Sequence, residues 1–299
     1  MNSTCSRYTR LLKQINPQLF DVTLRDGIQA ASVEIYTTSK KKDVFHNIMD
    51  NYKPSKIEVG SIVSPKVLPI MRDSIEIYNY VTSILSSENV ENTKPFLLIP
   101  NKKSLKPALD NNVCGISLIT SVSDDFQQKN VKMSLTQTKL SLYDICYTAR
   151  IHTPDIYIKL YISCISECPI MGKMSNDHII REILCYNDTR FSELCLSDTC
   201  GTLSYSSFQY IVDSLLAYGF DINKLSLHLH VSHENQTNTS NILFYCFEKG
   251  INKFDVSLLE SGGCSVTMGK NVKPNLSYEL FQQNLHKYIM WKTREYSDV

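Results

Sequence analysis

The sequence predicts an α/β protein built as a single (β/α)8 barrel, with its active site at the C-terminal ends of the strands. Short apolar runs with the character of β-strands alternate with longer segments of helical spacing along the whole chain. Eight such runs are present, and 299 residues over eight units give about 37 residues each, which suits a strand followed by a helix. An open doubly wound sheet fits the same alternation, but no Gly-x-Gly-x-x-Gly segment follows an early strand to support a dinucleotide site.

The elements can be placed in order along the chain. The predicted strands cover residues 19–24, 56–59, 96–99, 115–119, 156–163, 193–196, 225–230 and 254–258. The clearest helix spans 204–219, where Ser204 can cap the start and Gly219 the end of an amphipathic stretch. Residues 277–291 predict a closing helix. We therefore expect an N-terminal extension at 1–17, one barrel domain at 18–290 and a polar tail at 291–299.

The amino-acid composition limits which partners the protein can bind and indicates its cellular compartment. The 31 basic and 30 acidic residues leave a net charge of +1, which argues against nucleic acid, because neutralising phosphates needs a basic excess or stripe. No apolar run approaches the roughly 18 to 20 residues of a membrane helix, so we expect no membrane partner. Ten cysteines without an apolar signal segment favour reduced thiols and a cytoplasmic protein. The first 20 residues carry three basic residues and no acid, which leaves a mitochondrial location as the alternative.

Polar residues follow several of the predicted strands, and the pair His228 and His230 is the most informative. Residues two apart on a strand point the same way, so both imidazoles would face the barrel interior and could share a cation. Asp26, at the end of the first strand, adds a hard oxygen ligand, and this mixed set suits Mg²⁺, Mn²⁺ or Zn²⁺. The alternative is two histidines on an edge strand, one pointing inward and one hydrogen-bonded.

Arg25 precedes that aspartate at the same strand end. It could be held in a structural ion pair with Asp198 or Glu58. Alternatively, its guanidinium could bind a carbonyl oxygen on which negative charge develops during a reaction. Glu58 and Asp198 would then steady Arg25 or a ligand histidine.

Among the cysteines, Cys264 stands apart because it follows Gly262 and Gly263, a hinge that suits a loop closing over a substrate. Cysteines within apolar runs are expected to fill the core as small hydrophobic residues; these are Cys114, Cys146, Cys185 and Cys246. No paired Cys-x-x-Cys pattern indicates a structural zinc site.

Several segments together resemble the 3-hydroxy-3-methylglutaryl-CoA lyase family, within the metal-dependent barrel superfamily that also contains isopropylmalate and homocitrate synthases. Residues 21–29, DVTLRDGIQ, match the first-strand signature of the whole superfamily. The segments that resemble the lyases in particular are 57–66 (IEVGSIVSPK), 121–126 (SVSDDF), 161–173 (YISCISECPIMGK), 196–201 (LSDTCG) and the loop at 262–264. The similarity runs from about residue 20 to 280, and it implies a pyruvate carboxyltransferase-like barrel.

The resemblance implies roles for individual residues. The ligands of a divalent cation, Mg²⁺ or Mn²⁺, would be Asp26, His228, His230 and Asn275. The residues implied in catalysis are Arg25, which would polarise the thioester carbonyl, Cys264 and His228 as acid/base groups, and Asp198 and Glu58 as supports. The implied reaction is retro-Claisen cleavage of 3-hydroxy-3-methylglutaryl-CoA, an acyl-CoA thioester, to acetyl-CoA and acetoacetate, as in leucine degradation and ketone body formation. A homodimer is compatible with it.

The chain departs from the family pattern after the histidines. The family continues with Asp-Thr, whereas Val231 and Ser232 follow here, and Val231 cannot orient a ligand. Loss of such an orienting group commonly weakens metal affinity or activity by about 10 to 100-fold. Three alternatives follow: an active lyase, a related carbon–carbon bond enzyme with another substrate, or a barrel that has lost turnover.

Overall fold

A computed structural model describes residues 2–88, 90, 92–188, 190–231, 233–259, 261–263 and 273–295. The strands that form the barrel are β1 (Gln18–Asp21), β2 (Lys56–Ser61), β3 (Lys94–Leu98), β4 (Gly115–Ser121), β5 (Tyr157–Ser163), β8 (Glu193–Asp198), β9 (Leu225–Leu229) and β10 (Lys253–Val256). These eight parallel strands close into a barrel in the order β1-β10-β9-β8-β5-β4-β3-β2. A short antiparallel hairpin, β6 (Glu167–Cys168) and β7 (Gly172–Lys173), follows β5. Each of the eight predicted strands overlaps one barrel strand, so the predicted fold is confirmed and the open sheet is not formed.

Helices surround the barrel. They are α1 (Asn2–Ile15), α2 (Thr38–Asn51), α3 (Ser74–Ser87), α4 (Lys102–Asp110), α5 (Asp124–Val131), α6 (Leu135–His152), α7 (Asn176–Leu184), α8 (Tyr205–Ala217), α9 (Gln236–Lys249) and α10 (Tyr278–Glu295). Ser204 caps α8 by accepting a hydrogen bond from the amide of Ser207, as the sequence predicts. Helix α1, in the region expected to be an extension, packs against α10. None of the described helices combines the length and apolarity needed to cross a membrane.

Strand ends and the closing helix differ from the sequence-based boundaries. The first strand stops at Asp21, three residues early, because a π-helical turn, Thr23–Gly27, begins there. At the other end, α10 continues four residues beyond Trp291, since Thr293 is buried and donates from its hydroxyl to the carbonyl of Ile289. Lys292 also pairs with Glu248 on the neighbouring helix α9. These contacts keep the polar residues after 291 helical as far as 295.

The core joins the outer faces of the strands to the inner faces of the helices in one large apolar cluster. Cys146 and Cys246 belong to this cluster, as expected. The same expectation is wrong for Cys114 and Cys185, which are exposed. Cys114 stands just before β4 and Cys185 just after α7, and the ends of elements reach solvent even where their centres are apolar.

Candidate active site and metal centre

The π-helical turn after β1 brings Arg25 and Asp26 to the same side. On a continuing strand these neighbours would point to opposite faces of the sheet. Here the amides of Gly27 and Ile28 donate to carbonyls five residues back, at 3.0 and 3.1 Å, and both side chains line one pocket at the barrel mouth. The buried Asp21 carboxylate starts this turn by accepting from the amide and hydroxyl of Thr23, each at 2.9 Å. The local backbone therefore decides that two adjacent residues can act together.

His228 and His230 face each other across 3.3 Å between their Nε2 atoms. Nδ1 of His228 lies 3.2 Å from a carboxylate oxygen of Asp255, and Nδ1 of His230 lies 2.8 Å from the carbonyl of Lys273. Both partners can only accept, so each Nδ1 carries a proton and the Nε2 atoms of the two rings face each other. This orientation allows both Nε2 atoms to bind one cation placed beside them.

Asp26 completes a group of three possible metal ligands, whose donor atoms all lie within 4.8 Å of one another. Burial alone would raise the pKa of Asp26, but Arg25 and the two histidines hold it well below its usual range. Burial also lowers the pKa of His230 to about 4, and His228 adds to this effect. Both groups are therefore in the protonation states that bind a cation at neutral pH.

Asn275 contributes a buried amide next to these three residues. Its Nδ2 donates to Asp26 at 2.9 Å and to the carbonyl of Ser261 at 3.0 Å, which fixes the orientation of the amide. Its Oδ1 is buried and has no hydrogen-bond partner among the described residues. A buried carbonyl oxygen without a donor is costly, and an oxygen-binding cation would satisfy it. The donor set of two imidazoles, a carboxylate and an amide oxygen therefore fits a divalent metal.

Glycine packs directly against this donor set. A Cβ atom on Gly262 would lie 2.6 Å from Nδ2 of Asn275 and 2.9 Å from an oxygen of Asp26. The amide of Gly263 donates to that same oxygen at 3.2 Å. The two glycines that precede Cys264 thus form part of the wall around the candidate metal site.

Arg25 is buried between two carboxylates. It donates from Nη1 to Asp26 at 2.6 Å and from Nε to Glu58, and its guanidinium lies 5.1 Å from the ring centre of Tyr161. The sequence left open whether Arg25 pairs with Asp198 or with Glu58; in the structure its partner is Glu58, and Asp198 takes no part in the ion pair. The charges of Glu58 and Asp26 outweigh burial and raise the pKa of Arg25 further. Among the described contacts its Nη2 has no hydrogen bond within the protein, which leaves a donor for a substrate oxygen.

Asp198 lies at the end of β8 but holds a loop rather than the pocket. Its carboxylate accepts from the hydroxyl of Ser166 at 2.8 Å and from the amides of Thr202 and Leu203 at 3.1 and 3.0 Å. Burial raises its pKa, and these donors oppose that effect. Thr199, the next residue along the chain, does line the pocket. Asp198 therefore orders the backbone that presents Thr199.

Comparison with known proteins shows the family to which the chain belongs. A family model described as HMGL-like matches residues 16–276. The chain belongs to the HMGL-like family. The hydroxymethylglutaryl-CoA lyase YngG of Bacillus subtilis is 26% identical over 260 residues, which cover 87% of this chain and 80% of that protein. The 3-hydroxy-3-isohexenylglutaryl-CoA/hydroxy-methylglutaryl-CoA lyase of Pseudomonas aeruginosa is 26% identical over 261 residues, 84% of this chain and 79% of that protein.

Solved structures agree with the fold. The HMG-CoA lyase of Brucella melitensis superposes with a TM-score of 0.77 at 22% identity, covering 91% of this chain and 90% of that one. An HMG-CoA lyase from Acinetobacter baumannii, solved with coenzyme A and 3-methylmalate, gives a TM-score of 0.75 at 23% identity over 92% of this chain and 90% of that one. The family expected from the sequence motifs is therefore confirmed.

The sequence did not single out Asp255, which lies within the predicted eighth strand. The one available signal was an acid in an otherwise apolar strand. The expected loss of an orienting group at Val231 is corrected here: Val231 is buried and apolar, but Asp255 on β10 and the Lys273 carbonyl orient the two histidines instead. Topology supplies the Asp255 acceptor, since β9 and β10 are neighbours in the barrel, and the Lys273 carbonyl comes from the segment before Asn275.

The pocket above these groups combines a polar floor with an apolar wall and encloses about 450 Å³, including solvent at its mouth. The residues that line it are Arg25, Asp26, Leu98, Ile119, Phe126, Tyr161, Ser163, Ser197, Thr199, His228, His230 and Gly263. Cys264, the expected acid/base group, lies outside the described residues.

Proposed function

We propose that this HMGL-like chain is a divalent-metal-dependent acyl-CoA lyase that cleaves 3-hydroxy-3-methylglutaryl-CoA to acetyl-CoA and acetoacetate. The observation that carries the proposal is the convergence of Asp26, His228 and His230 beside the guanidinium of Arg25. The amide of Asn275 contacts Asp26 and has a buried oxygen without a partner among the described residues. The names of the relatives support the substrate class.

The metal would be held by Asp26, His228, His230 and Asn275, with Mg²⁺ or Mn²⁺ as the cations that suit an oxygen-rich substrate. When bound, such a cation would chelate substrate oxygens and make the tertiary hydroxyl easier to deprotonate. Asp255 and the Lys273 carbonyl hold the ligand imidazoles in the required tautomer.

Cleavage breaks the bond between C2 and C3 of the acyl chain. The hydroxyl on C3 loses its proton and becomes the ketone of acetoacetate, while the bonding electrons move to C2 and the thioester oxygen. Arg25 is suited to stabilise that oxygen, because its charge is fixed in place by Glu58 and Asp26 before the reaction starts. Protonation of C2 then yields acetyl-CoA. His228 and Cys264 are the proposed carriers of these protons.

The function is tested by incubating the purified protein with 3-hydroxy-3-methylglutaryl-CoA and Mg²⁺ or Mn²⁺, and measuring acetoacetate and acetyl-CoA. Equal amounts of both, lost on chelation of the metal, are expected. Formation of neither, together with condensation of acetyl-CoA with a 2-oxo acid, would favour the related carbon–carbon bond enzyme. If a thioester with a longer 3-alkyl group is turned over faster, the proposed reaction stands and that thioester replaces 3-hydroxy-3-methylglutaryl-CoA as the proposed substrate.

We also propose the cytosol as the compartment, with the mitochondrion as the alternative. In support, none of the eight cysteines whose side chains are described forms a disulfide. Imaging of a fluorescently tagged chain distinguishes the two compartments.

The homodimer also stays a proposal, and light scattering of the purified protein tests it.

A further inference from the structure

The interior of the barrel contains a chain of charges below the candidate metal site. Lys56 on β2 lies 3.1 Å from one oxygen of Glu193 on β8, and the other oxygen of Glu193 lies 3.2 Å from Lys159 on β5. Lys159 then pairs with Asp255 on β10, whose second oxygen accepts from His228. All of these side chains are buried. Alternating charges therefore connect the base of the barrel to one of the candidate ligands.

Lys159 is the member of this chain that contacts the site from below. Its ammonium is fully buried, 3.7 Å from the ring centre of Phe20 and 4.7 Å from that of Tyr161. The same Tyr161 ring lies beneath Arg25 and packs edge-on against His228, with ring centres 5.9 Å apart. Lys159 thus contacts Asp255, which accepts from His228, and the ring of Tyr161, which packs against both His228 and Arg25.

Stability gives little reason for this arrangement. Barrel interiors are usually filled by branched apolar side chains, and replacing a buried ion pair by apolar residues is often neutral or stabilising. A role at the site gives a better reason. The Asp255 oxygen that accepts from His228 Nδ1 must be turned toward the imidazole, and Lys159 holds the other oxygen of the same carboxylate.

We propose that Lys159 is a positioning residue for the metal centre: by holding one oxygen of Asp255, it fixes the carboxylate in the orientation that keeps Nε2 of His228 available as a ligand. The inference rests on the proposed function, because it assumes that His228 binds a cation. It adds a residue that contacts neither the cation nor the substrate.

The test measures Mn²⁺ affinity of metal-free protein by electron paramagnetic resonance, without substrate. We expect Lys159→Met to weaken Mn²⁺ binding by about 10 to 100-fold. Lys56→Met is the matched control, since it removes a buried lysine from the same charge chain two links further from His228. It should leave the affinity within about twofold of the wild-type value. Circular dichroism confirms folding of each variant.

A double-mutant cycle shows whether Lys159 acts through Asp255. Asp255→Asn should weaken Mn²⁺ binding by itself, and adding Lys159→Met to it should change the affinity by less than about threefold. The double variant also lacks both charges of the pair, so it keeps the test available if Lys159→Met alone does not fold. A further tenfold loss in the double variant, an unchanged affinity in Lys159→Met, or an equal loss in Lys56→Met would overturn the inference.

The two proposals fail differently. If the wild-type protein binds Mn²⁺ and shows the expected pattern but produces no acetoacetate, the reaction is wrong and the role of Lys159 stands. If the wild-type protein binds no divalent cation, the metal site fails and the role of Lys159 fails with it.

Discussion

The Nε2 atoms of His228 and His230 lie 3.3 Å apart, and each ring is fixed from behind by an acceptor at Nδ1. The fold therefore fixes the orientation of both imidazoles, because the acceptors come from β10 and from the segment before Asn275.

Arg25→Met tests the charge at the thioester end of the pocket. The variant leaves buried Glu58 without its cation, so we expect a loss of about 3 to 5 kcal/mol in the free energy of unfolding. Adding Glu58→Gln should recover much of that stability. Acetoacetate formation by the double variant should still fall at least about 10² to 10³-fold, with Mn²⁺ affinity changed little. Recovered activity would assign Arg25 a structural role only.

Gly262→Ala tests the wall of the metal site. The added methyl group would meet Asn275 and Asp26 at 2.6 and 2.9 Å, so Mn²⁺ affinity should fall at least about tenfold. Gly115→Ala is the control, because its methyl group would collide with the ring of Phe96 at 2.8 Å, away from the ligands. It should lower the melting temperature and leave Mn²⁺ binding unchanged. Equal metal affinities in both variants would place the ligands elsewhere.

Acid should destabilise the metal-free protein through His230. The pKa of His230 is about 4 in the folded state and near 6.5 in the unfolded state. Between pH 4 and 6.5, therefore, the unfolded chain binds a proton at this residue and the folded chain does not. The free energy of unfolding should therefore fall as the pH drops from 6.5 to 4, by at most about 1.4 kcal/mol per unit. In urea denaturation with a chelator present, the free energy of unfolding of His230→Asn should fall less over the same pH range.

Asp21 acts in the opposite direction. Burial raises its pKa to about 7, so its contribution to stability is present at low pH and is lost as the pH rises through 7. The contribution of Asp21 to the free energy of unfolding is the same in the wild type and in His230→Asn, so it cancels when one pH profile of stability is subtracted from the other. Parallel profiles for the two proteins would contradict the assignment to His230.

Asp198→Asn tests whether this residue holds a loop. The amide can accept through one oxygen only, so donors from Ser166 and Thr202 or from Leu203 lose their partner, at a cost of about 1 to 3 kcal/mol. We expect a several-fold rise in KM, with kcat and Mn²⁺ affinity changed much less. A collapse of kcat at unchanged KM would instead give Asp198 a direct part in the reaction.

Cys264→Ala tests the proposed proton carrier. Loss of an acid/base group typically costs about 10² to 10⁴-fold in kcat, and Mn²⁺ affinity should stay at the wild-type value. Cys246→Ala, at a cysteine buried in the core, is the comparison for general effects of losing a thiol. A decrease of kcat that is the same in both variants would remove Cys264 from the proposed mechanism.

Much of the fold follows from patterns that are local in the sequence. Alternating apolar runs located all eight barrel strands, because each strand is covered by helices on its outer face. The His-x-His spacing on a strand placed His228 and His230 on one side, and the structure brings Asp26 to them. These predictions needed only the period of a strand and the geometry of a barrel.

The remaining features depend on contacts between distant parts of the chain. The π-helical turn that aims Arg25 and Asp26 together starts at Asp21, which accepts from Tyr278, 257 residues further on. The orientation of His228 depends on Asp255, and no spacing in the sequence links the two. Likewise, the choice of Glu58 over Asp198 as the partner of Arg25 is a matter of side-chain packing, which strand positions alone do not decide.

The barrel closes by pairing β1 with β10, and the amide of Asn275 reaches Asp26 across 249 residues of chain. During translation, a ribosome must therefore complete nearly the whole barrel before the four proposed ligands can meet. A nascent chain that stops anywhere before β10 has no complete site to load, so cations can be captured only late in synthesis or after release. Metal occupancy would then report on the completion of the barrel.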